Sequence, residues 1–592
     1  MRQFGKTVKY LTLCTLLSAT VTSCDLDVTP PADIAAETFW KDSKAAWYNL
    51  NAIYANTIPG PAVYGDAYTN DAYNQYIHET KASVFQQDGF SALYDEGWNF
   101  EAIRKCNVYL KEVDNCEMDV DLKKRTKAEV RVMRALQYLG MTLAFGKVPI
   151  ITEVPEYNAP NVPRDEVSKV HEFILRELGE AANDLPDSYN GNGEFNEKGR
   201  ITKYAALSLK ARAALYFGQY DVAEAAAKAV MDSKKYSLWR IDKLNEAQQL
   251  EADEMSVYVD FADDAAKEKF VKGMFNYESI WYTENATPDN PEYIMARMYL
   301  DPSDGDWVRY TAMRPNQLGG WSSVTPTQNL VDTYWSADGH TVPTTPSIDA
   351  RAEAYEKIAA DVKKETPAEG STAFLTFVKN KTADGTLTKY DYMKEFRNRD
   401  SRMYVSVLFP FKTWHETNYG AGYAYEWIKG GNNESKTGFN YRKMVALTTD
   451  SNNGDNATGD YPCIRYAEIL LIYAEAHTQT TGYDQSVRDA LNDLRDRCGM
   501  PDVPATLTKD EALDLIRRER RIELAGEGFH SDDMTRYEDS YWESEMNNVP
   551  ISMPDGETVI TMKWSSRMRL KPIPQTAITL NPLLENDQNP GY

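Results

Sequence analysis

The chain has 592 residues and a formal net charge of −24, from 89 acidic against 65 basic side chains. A chain this acidic is a poor partner for nucleic acid and for anionic lipid headgroups, and it suits neutral or cationic ligands. After the N-terminal region no segment has ~18 uninterrupted apolar residues, which excludes a membrane-spanning helix there.

The first 23 residues have the features of a secretory signal peptide. A basic start precedes about twelve mostly apolar residues, too few to cross a bilayer as a helix. Val-Thr-Ser-Cys, ending at Cys24, resembles the lipobox of bacterial lipoproteins, in which the Cys is acylated and becomes the N-terminus; Val21 stands where Leu is commonest. The alternative is an ordinary signal peptide with Cys24 incidental. Residues 24–40 are predicted to be a lipidated tether, since Pro30 and Pro31 favour extended backbone.

Helical periodicity dominates both ends of the remaining chain. Residues 127–145 and 167–186 each place apolar residues three or four apart, and the first run stops at Gly146. Residues 201–232 predict a helix, a turn at Gly218 and a second helix, with small residues that allow close packing. This pattern resembles a tetratricopeptide repeat, and residues 466–497 repeat it loosely around Gly482. The sequence therefore predicts a mainly α fold, with a tetratricopeptide-like helical-pair scaffold over residues 41–240 and 460–592.

Residues 241–459 differ in character. Aromatic residues, glycines, prolines and Asn/Asp clusters interrupt the helical period. Long loops in a compact protein are usually functional. We expect a large, irregular, loop-rich insertion that binds the ligand, within a single unit spanning residues 41–592.

Catalytic motifs are not evident. The six histidines show no metal-ligand spacing, and the sequence lacks a Gly-x-Ser-x-Gly elbow or a phosphate-binding glycine loop. The loop from Asp450 to Asp460 could hold Ca²⁺, but its glycine is out of step with an EF-hand and a solvated loop is favoured. We therefore predict no enzyme and no cofactor. A disulfide between Cys106 and Cys116 could form but is not required.

Aromatic residues are abundant, with 38 tyrosines and 12 tryptophans. Flat rings stack on the apolar C–H faces of sugars while polar neighbours bind the hydroxyls, so aromatic residues in polar loops are candidate carbohydrate platforms. For each ring the alternative is packing in the core or anchoring of a loop. The predicted glycan-binding residues are Tyr68, Tyr73, Trp98, Tyr293, Trp307, Trp321 and Trp414, with Tyr64 and Trp427 as further candidates.

Several segments closely resemble the signature sequences of the SusD/RagB family. They include residues 100–110, 199–216, 325–339, 396–403, 465–476, 516–529 and 570–592. The resemblance implies a lipid-anchored, surface-exposed protein of the cell outer membrane in Bacteroidota, built from four tetratricopeptide-like helix pairs. Members bind glycans, or in some cases peptides, and form a lid on a SusC-like TonB-dependent transporter. Trp98 and Trp321 lie where members often place stacking aromatics.

The motif around residues 514–523 is interpreted as part of the scaffold. Asp514 precedes Arg517 and Arg518 at helical pairing distance, and Arg520 precedes Glu523 likewise, which predicts an ion network that fastens helices together.

The predicted function is capture of an oligosaccharide and its delivery to the transporter, without bond cleavage. A peptide-capturing lid is the alternative, and a surface glycoside hydrolase is the rival from another class. The sequence leaves the identity of the glycan open.

Overall fold

The computed structural model describes residues 40–156, 159–189, 197–299, 306–366, 371–415, 422–445 and 458–592. Cys24, the predicted tether and most of the Asp450–Asp460 loop lie outside the described residues. The described helices are α1 (Ser43–Thr57), α2 (Val63–Asp66), α3 (Ala82–Phe85), α4 (Phe100–Glu112), α5 (Val120–Phe145), α6 (Val167–Asp184), α7 (Lys203–Tyr216), α8 (Tyr220–Asp232), α9 (Glu246–Tyr258), α10 (Asp264–Glu278), α11 (Gln328–Thr333), α12 (Ile348–Glu365), α13 (Ser371–Ala383), α14 (Asp391–Lys394), α15 (Ser401–Ser406), α16 (Tyr466–Thr480), α17 (Gln485–Arg497), α18 (Lys509–Glu523), α19 (Phe529–Thr535), α20 (Asp539–Met546) and α21 (Gln575–Leu580).

The strands of the described residues are short and join only in antiparallel pairs. β1 pairs with β3, β2 with β8, β4 with β7, β5 with β6, and β9 with β10. Their bounds are β1 (Ala72–Asn74), β2 (Tyr293–Arg297), β3 (Val324–Pro326), β4 (Val407–Leu408), β5 (Thr413–Trp414), β6 (Tyr423–Ala424), β7 (Asn440–Tyr441), β8 (Tyr461–Arg465), β9 (Pro550–Ser552) and β10 (Thr558–Thr561). The fold is therefore mainly α, as predicted.

The predicted helices form close to their expected positions. α5 begins earlier than expected, at Val120, because the Asp119 side chain caps it by accepting from the Leu122 amide at 2.9 Å. It ends at Gly146, which has a φ of +70°. Gly218, with a φ of +69°, makes the turn between α7 and α8. The glycines in the sequence therefore correctly predicted where these helices end.

The helices pack in sequence as antiparallel neighbours. α5 packs on α6, α6 on α7, α7 on α8, and α8 on α16, which in turn contacts α17 and α18. The small residues predicted to permit the close approach of α7 and α8 are buried: Ala206, Ala211, Ala214, Ala223, Ala226 and Ala227. This arrangement confirms the tetratricopeptide-like helix-pair scaffold, and the contact of α8 with α16 joins its two halves.

The region 241–459 is less irregular than expected. It contains α9, α10, α12 and α13, each at least three turns long. α9 begins with a capping box, in which Asn245 and Gln248 each bond the other's backbone. The rest of the region, among the described residues, is short helices, strands of two to five residues and turns. This remainder includes the exposed Trp321.

A group of buried ion pairs, here called the arginine–glutamate network, fastens the scaffold to the insertion. Glu523 at the end of α18 pairs with Arg465 at 2.6 Å, with Arg402 at 3.3 Å and with Arg497. The network comprises Glu292, Arg402, Arg465, Arg495, Arg497, Glu519, Glu523 and Glu527, all buried. Paired charges can remain buried where single charges cannot.

The network predicted around residues 514–523 therefore exists, but with different partners. Arg520 pairs with Asp533 at 2.8 Å instead of with Glu523. Arg518 donates to the backbone carbonyl of Thr333 at 2.7 Å. The ion pairs connect separate elements, so their role is in tertiary structure more than in the stability of one helix.

The cysteines of the described chain are free, buried thiols: Cys106, Cys116, Cys463 and Cys498. No disulfide joins Cys106 to Cys116, and burial raises the pKa of the Cys106 thiol to about 12. Among the helices that the structure describes, none is both long and apolar enough to cross a membrane.

Candidate functional site

Trp307 is positioned by a buried ion pair at the start of a short π-helix, Val308–Ala312. Asp306 accepts from the Val308 amide at 2.8 Å and pairs with the Arg309 guanidinium at 2.5 Å. Arg309 also donates to the carbonyl oxygens of Gly459 and Asp460. π-Helical turns are rare and often occur at functional sites. The Trp307 ring is thus held by a rigid segment, although the ring itself is only half-buried.

Trp321 is brought beside Trp307 by a tight turn. Gly319 has a φ of +85°, which favours glycine, and the Gly320 amide donates to the Pro315 carbonyl at 3.0 Å. The chain then returns, and the Trp321 amide donates to the Thr311 carbonyl at 2.8 Å. Residues 307–323 therefore form one compact unit that leads directly into β3.

The two indole rings form an edge-to-face pair, here called the tryptophan pair. Their centroids are 5.4 Å apart and their planes meet at 83°. Trp321 is 40% exposed, which makes it one of the large apolar side chains that the protein leaves in solvent. Perpendicular rings hold each other in place while leaving a face of the outer ring free for a ligand.

Polar side chains border the tryptophan pair. The Gln75 side chain donates to the Ser322 carbonyl at 2.7 Å and the Trp321 carbonyl at 3.3 Å. The Tyr76 hydroxyl donates to Asn433 at 2.5 Å, and the exposed His78 ring lies 5.6 Å from that of Tyr76. Three distant segments of the chain therefore meet at this turn, and they carry hydroxyl, amide and imidazole groups.

Glu79 holds this border to the tryptophan turn. Its carboxylate accepts from Ser323 at 2.8 Å, from Asn74 at 2.9 Å and from the Tyr64 hydroxyl at 3.1 Å. Burial, followed by the charge of Glu79, raises the pKa of Tyr64, so this hydroxyl stays protonated and remains a donor. The predicted Tyr73 lies in β1 opposite Thr325 of β3. Tyr64 is thus connected to the turn through Glu79, whereas the half-buried Tyr73 ring packs on the hydrophobic cluster that contains Phe85 and Met534.

Tyr68 and Trp98 are half-buried and contact the scaffold instead. The Trp98 ring packs edge-to-face on Phe145 at 5.0 Å, and its other ring contact is Phe100. The Tyr68 hydroxyl donates to Glu96, and the Lys571 ammonium lies 4.4 Å from the Tyr68 ring centroid. Their rings make no contact with the tryptophan pair.

The remaining candidates are buried. Tyr293 is 5% exposed and donates to the Ile280 carbonyl at 2.9 Å. Trp414 is 2% exposed beneath the Arg442 guanidinium, and Trp427 donates to the Ser435 carbonyl at 3.0 Å. Burial leaves no ring face for a sugar, so these three side chains have the packing role that was the alternative for every candidate.

The sequence analysis did not identify Gln75, Tyr76, His78 or Asn433. Only the three-dimensional structure reveals that these segments meet, because 246 positions separate Gln75 from Trp321 and 357 separate Tyr76 from Asn433 along the chain. The sequence signal available was local: Tyr76 and His78 closely follow Tyr73. Within the described residues, no group of three or more His, Cys, Asp or Glu side chains could hold a metal ion.

A cavity of about 480 Å³ lies elsewhere, between the segment before α2, α5 and α19. Its lining includes Arg212, Glu527, Asp532 and Lys571. Its Tyr216 and Tyr461 rings are buried packing residues. The cavity therefore lacks the exposed ring faces that distinguish the tryptophan pair.

The fold and this surface together define a class: a helical-pair scaffold protein that displays exposed aromatic rings on its loops. The chain belongs to the SusD family. The family model described as "SusD family" matches residues 291–592. A second model, described as "Starch-binding associating with outer membrane", matches residues 33–215.

Individual relatives share the whole length of the chain at low identity. A SusD-like protein P38 of Formosa agariphila is 22% identical, over 90% of this chain and 92% of its own. A crystal structure of a SusD-like protein from Bacteroides fragilis has a TM-score of 0.71 at 24% identity, covering 95% of this chain and all of that one. A SusD-like carbohydrate-binding protein of the same species has a TM-score of 0.69 at 22% identity, over 92% and 100%. These likenesses establish the fold.

Proposed function

We propose that this protein captures an oligosaccharide at the tryptophan pair and delivers it, uncleaved, to a SusC-like TonB-dependent transporter. It would be held at the outer face of the outer membrane by lipid on Cys24. The family model described as "Starch-binding associating with outer membrane" and the carbohydrate-binding protein of B. fragilis with the same fold support both the ligand class and the location.

The observation that carries the proposal is the exposure of Trp321 against the perpendicular Trp307 ring. Leaving an indole 40% in water costs free energy that burial would recover, and an exposed apolar patch with a polar border is typical of a binding site. Tyr76, His78 and Asn433 form a polar cluster, and the neighbouring Gln75 connects it to the backbone carbonyls of Trp321 and Ser322. Rings for the C–H faces and polar groups for the hydroxyls are what a sugar requires.

Delivery requires that the ligand be held and then released. An open surface with two rings holds a sugar weakly, which favours transfer to a transporter over retention. A hinge-like, rigid-body movement of the whole protein on the transporter would accomplish the transfer.

The test replaces both rings, Trp307→Ala together with Trp321→Ala, and screens the variant and the parent on a glycan array and against a peptide pool. We expect the parent to retain specific glycans and the double variant to lose at least about 30-fold in affinity, because central aromatic residues contribute ~2 kcal/mol or more. The melting temperature should change little.

The matched control is Tyr48→Ala. Tyr48 is 58% exposed on α1, away from the tryptophan turn in the chain, so its removal deletes an equally accessible ring. Its glycan affinity should equal that of the parent. Full retention of glycan by the double variant would refute the site, and retention of peptides alone by the parent would favour the peptide-capturing alternative.

A further inference from the structure

Arg314 lies within the tryptophan turn and lacks a charged partner. Its side chain is 9% exposed, and its guanidinium carbon lies 4.0 Å from the centroid of the Tyr310 ring. Its Nε is buried without a hydrogen-bond partner. No carboxylate among the described residues forms an ion pair with it. A buried cation without an anion is costly, so this arrangement calls for an explanation.

Other buried arginines of this protein are treated differently. Arg402, Arg465, Arg495 and Arg497 are at most 1% exposed, and each is held by at least one carboxylate within 3.1 Å. Arg309, five residues before Arg314, pairs with Asp306. Arg399, which is 3% exposed, has no ion pair among the described residues but donates to the carbonyl oxygens of Glu395, Val331 and Tyr334. Arg309, in the same segment as Arg314, has a carboxylate partner, whereas Arg314 has none among the described residues.

The guanidinium of Arg314 lies at the solvent edge of the turn. A Cβ atom on Gly319, which is exposed, would lie 3.0 Å from Nη2 of Arg314. The Ser322 amide donates to the Arg314 carbonyl at 3.0 Å, directly after Trp321. Because Gly319 has no side chain, Nη2 of Arg314 lies close to the exposed backbone of Gly319, while most of the Arg314 side chain is buried. The backbone of Arg314 is thus hydrogen-bonded to the residue that follows Trp321.

We propose that Arg314 binds an anionic substituent, a carboxylate or a sulfate ester, of the sugar that stacks on the tryptophan pair. This proposal rests on the proposed function and adds that the glycan is acidic. A guanidinium presents two parallel N–H groups that match the oxygens of carboxylate and sulfate. The Tyr310 ring fixes the plane of the guanidinium, so little side-chain freedom is lost on binding.

The net charge of the protein does not oppose this assignment. Charges on a protein surface are screened beyond ~8 Å at physiological ionic strength, so groups near the ligand decide its sign. Close to the tryptophan turn, Asp306 is neutralised by Arg309, and the Glu79 carboxylate accepts hydrogen bonds from Ser323, Asn74 and Tyr64. Burial also raises the pKa of Glu434, whose backbone carbonyl accepts from Gln75, to about 7, which reduces its charge at neutral pH.

The experiment measures affinities by calorimetry for four forms of the full mature chain. They are the parent and the variants Arg314→Gln, Arg314→Lys and Trp321→Ala. The probes are oligogalacturonides and their carboxyl-reduced forms, and sulfated carrageenan oligosaccharides and their desulfated forms. Arg104→Gln, on the exposed side of α4, changes the net charge equally and is the control. We expect the parent to bind one acidic probe more tightly than the neutral form of that probe. The acidic probe that it prefers shows whether Arg314 binds a carboxylate or a sulfate ester.

Arg314→Gln should lose about tenfold in affinity for the acidic probe and less than about twofold for the neutral form. Arg314→Lys should regain part of the loss, and Arg104→Gln should match the parent. Trp321→Ala should weaken the binding of both forms.

A parent that binds neutral probes as tightly as acidic ones would overturn the assignment of Arg314 and leave the proposed function intact. An equal loss for both forms in Arg314→Gln, together with a lower melting temperature, would make Arg314 structural. Unchanged binding in Trp321→Ala would refute the proposed function itself.

Discussion

The arginine–glutamate network and the tryptophan turn handle charge and aromatic rings in opposite ways. In the network Glu523 contacts three guanidinium groups with no access to water, and the adjacent insertion buries Trp414 beneath Arg442. In the turn, Trp321 is exposed and Arg314 has no anion. Charged groups and rings that have partners within the protein stabilise its fold, whereas those without such partners are available to a ligand. The comparison separates the residues that build this protein from those that we propose bind its ligand.

The largest expected effect comes from breaking the network with Glu523→Gln. The substitution preserves shape but leaves three buried cations short of an anion, which should cost about 4 kcal/mol of unfolding free energy in a urea titration. Glycan affinity of the folded protein should be unchanged. The control, Glu101→Gln, removes the exposed ion pair with Lys105 and should leave stability as it is. A loss no larger than that of the control would contradict the structural role of the network.

The two kinds of tryptophan provide the second test. Trp414→Ala should cost about 3 kcal/mol of stability, because it empties a site that is 2% exposed. Trp321→Ala should cost less than about 1 kcal/mol and should reduce glycan affinity instead. Thermal unfolding and calorimetry on both variants check the separation. Equal destabilisation by the two substitutions would mean that Trp321 belongs to the core.

The shape of the turn is tested by Gly320→Ala. A Cβ on Gly320 would overlap the Arg314 carbonyl, so the turn must open, at about 2 kcal/mol, and Trp321 must move away from Trp307. We expect glycan affinity to fall about tenfold. In Gly140→Ala, the control, the added methyl meets no atom within 4 Å, so stability should not decrease. Wild-type affinity in Gly320→Ala would show that the ring geometry is not needed.

The smallest effect concerns Glu434 and pH. Burial raises its pKa in the folded state from 4.5 to about 7, so the folded protein binds this proton more tightly than the unfolded chain. Its contribution to stability is therefore complete below about pH 4.5 and is lost as the pH rises towards 7. Glu434→Gln should be more stable than the parent by about 1 kcal/mol at pH 8 and equal to it at pH 4, as measured by urea unfolding. A stability difference that does not change with pH would contradict this assignment.

The sequence predicted the helix pairs well, because their signals are local. Gly146 and Gly218 end helices whose apolar residues repeat every three or four positions, and the structure confirms both turns. It also placed Trp321 in a Gly-Gly-Trp loop, and the structure has a tight turn at Gly319 and Gly320 that leaves the ring 40% exposed, while glycan binding by Trp321 stays a prediction.

What the sequence could not provide depended on contacts between distant segments. Arg520 and Glu523 have the spacing of an ion pair within a helix, yet each turns to partners in other elements. Trp414 is a second example. Its polar neighbours in the sequence suggest an exposed loop, but Arg442, which is distant in the sequence, covers the ring. The proposed role of Arg314 depends on the lack of a carboxylate partner among the described residues, which only the structure reveals. The long-range partners of a side chain leave no periodic trace in a sequence.

The most direct test of the account is oxidation of tryptophan by N-bromosuccinimide, mapped by mass spectrometry on the unmodified protein with and without the glycan that it retains on the array. We predict that Trp321 reacts first in the free protein, that Trp307 follows, and that bound glycan protects both, while the half-buried Trp98 reacts equally in the two states. Protection of Trp98 with no change at Trp307 and Trp321 would contradict the claim that the tryptophan pair is the binding surface.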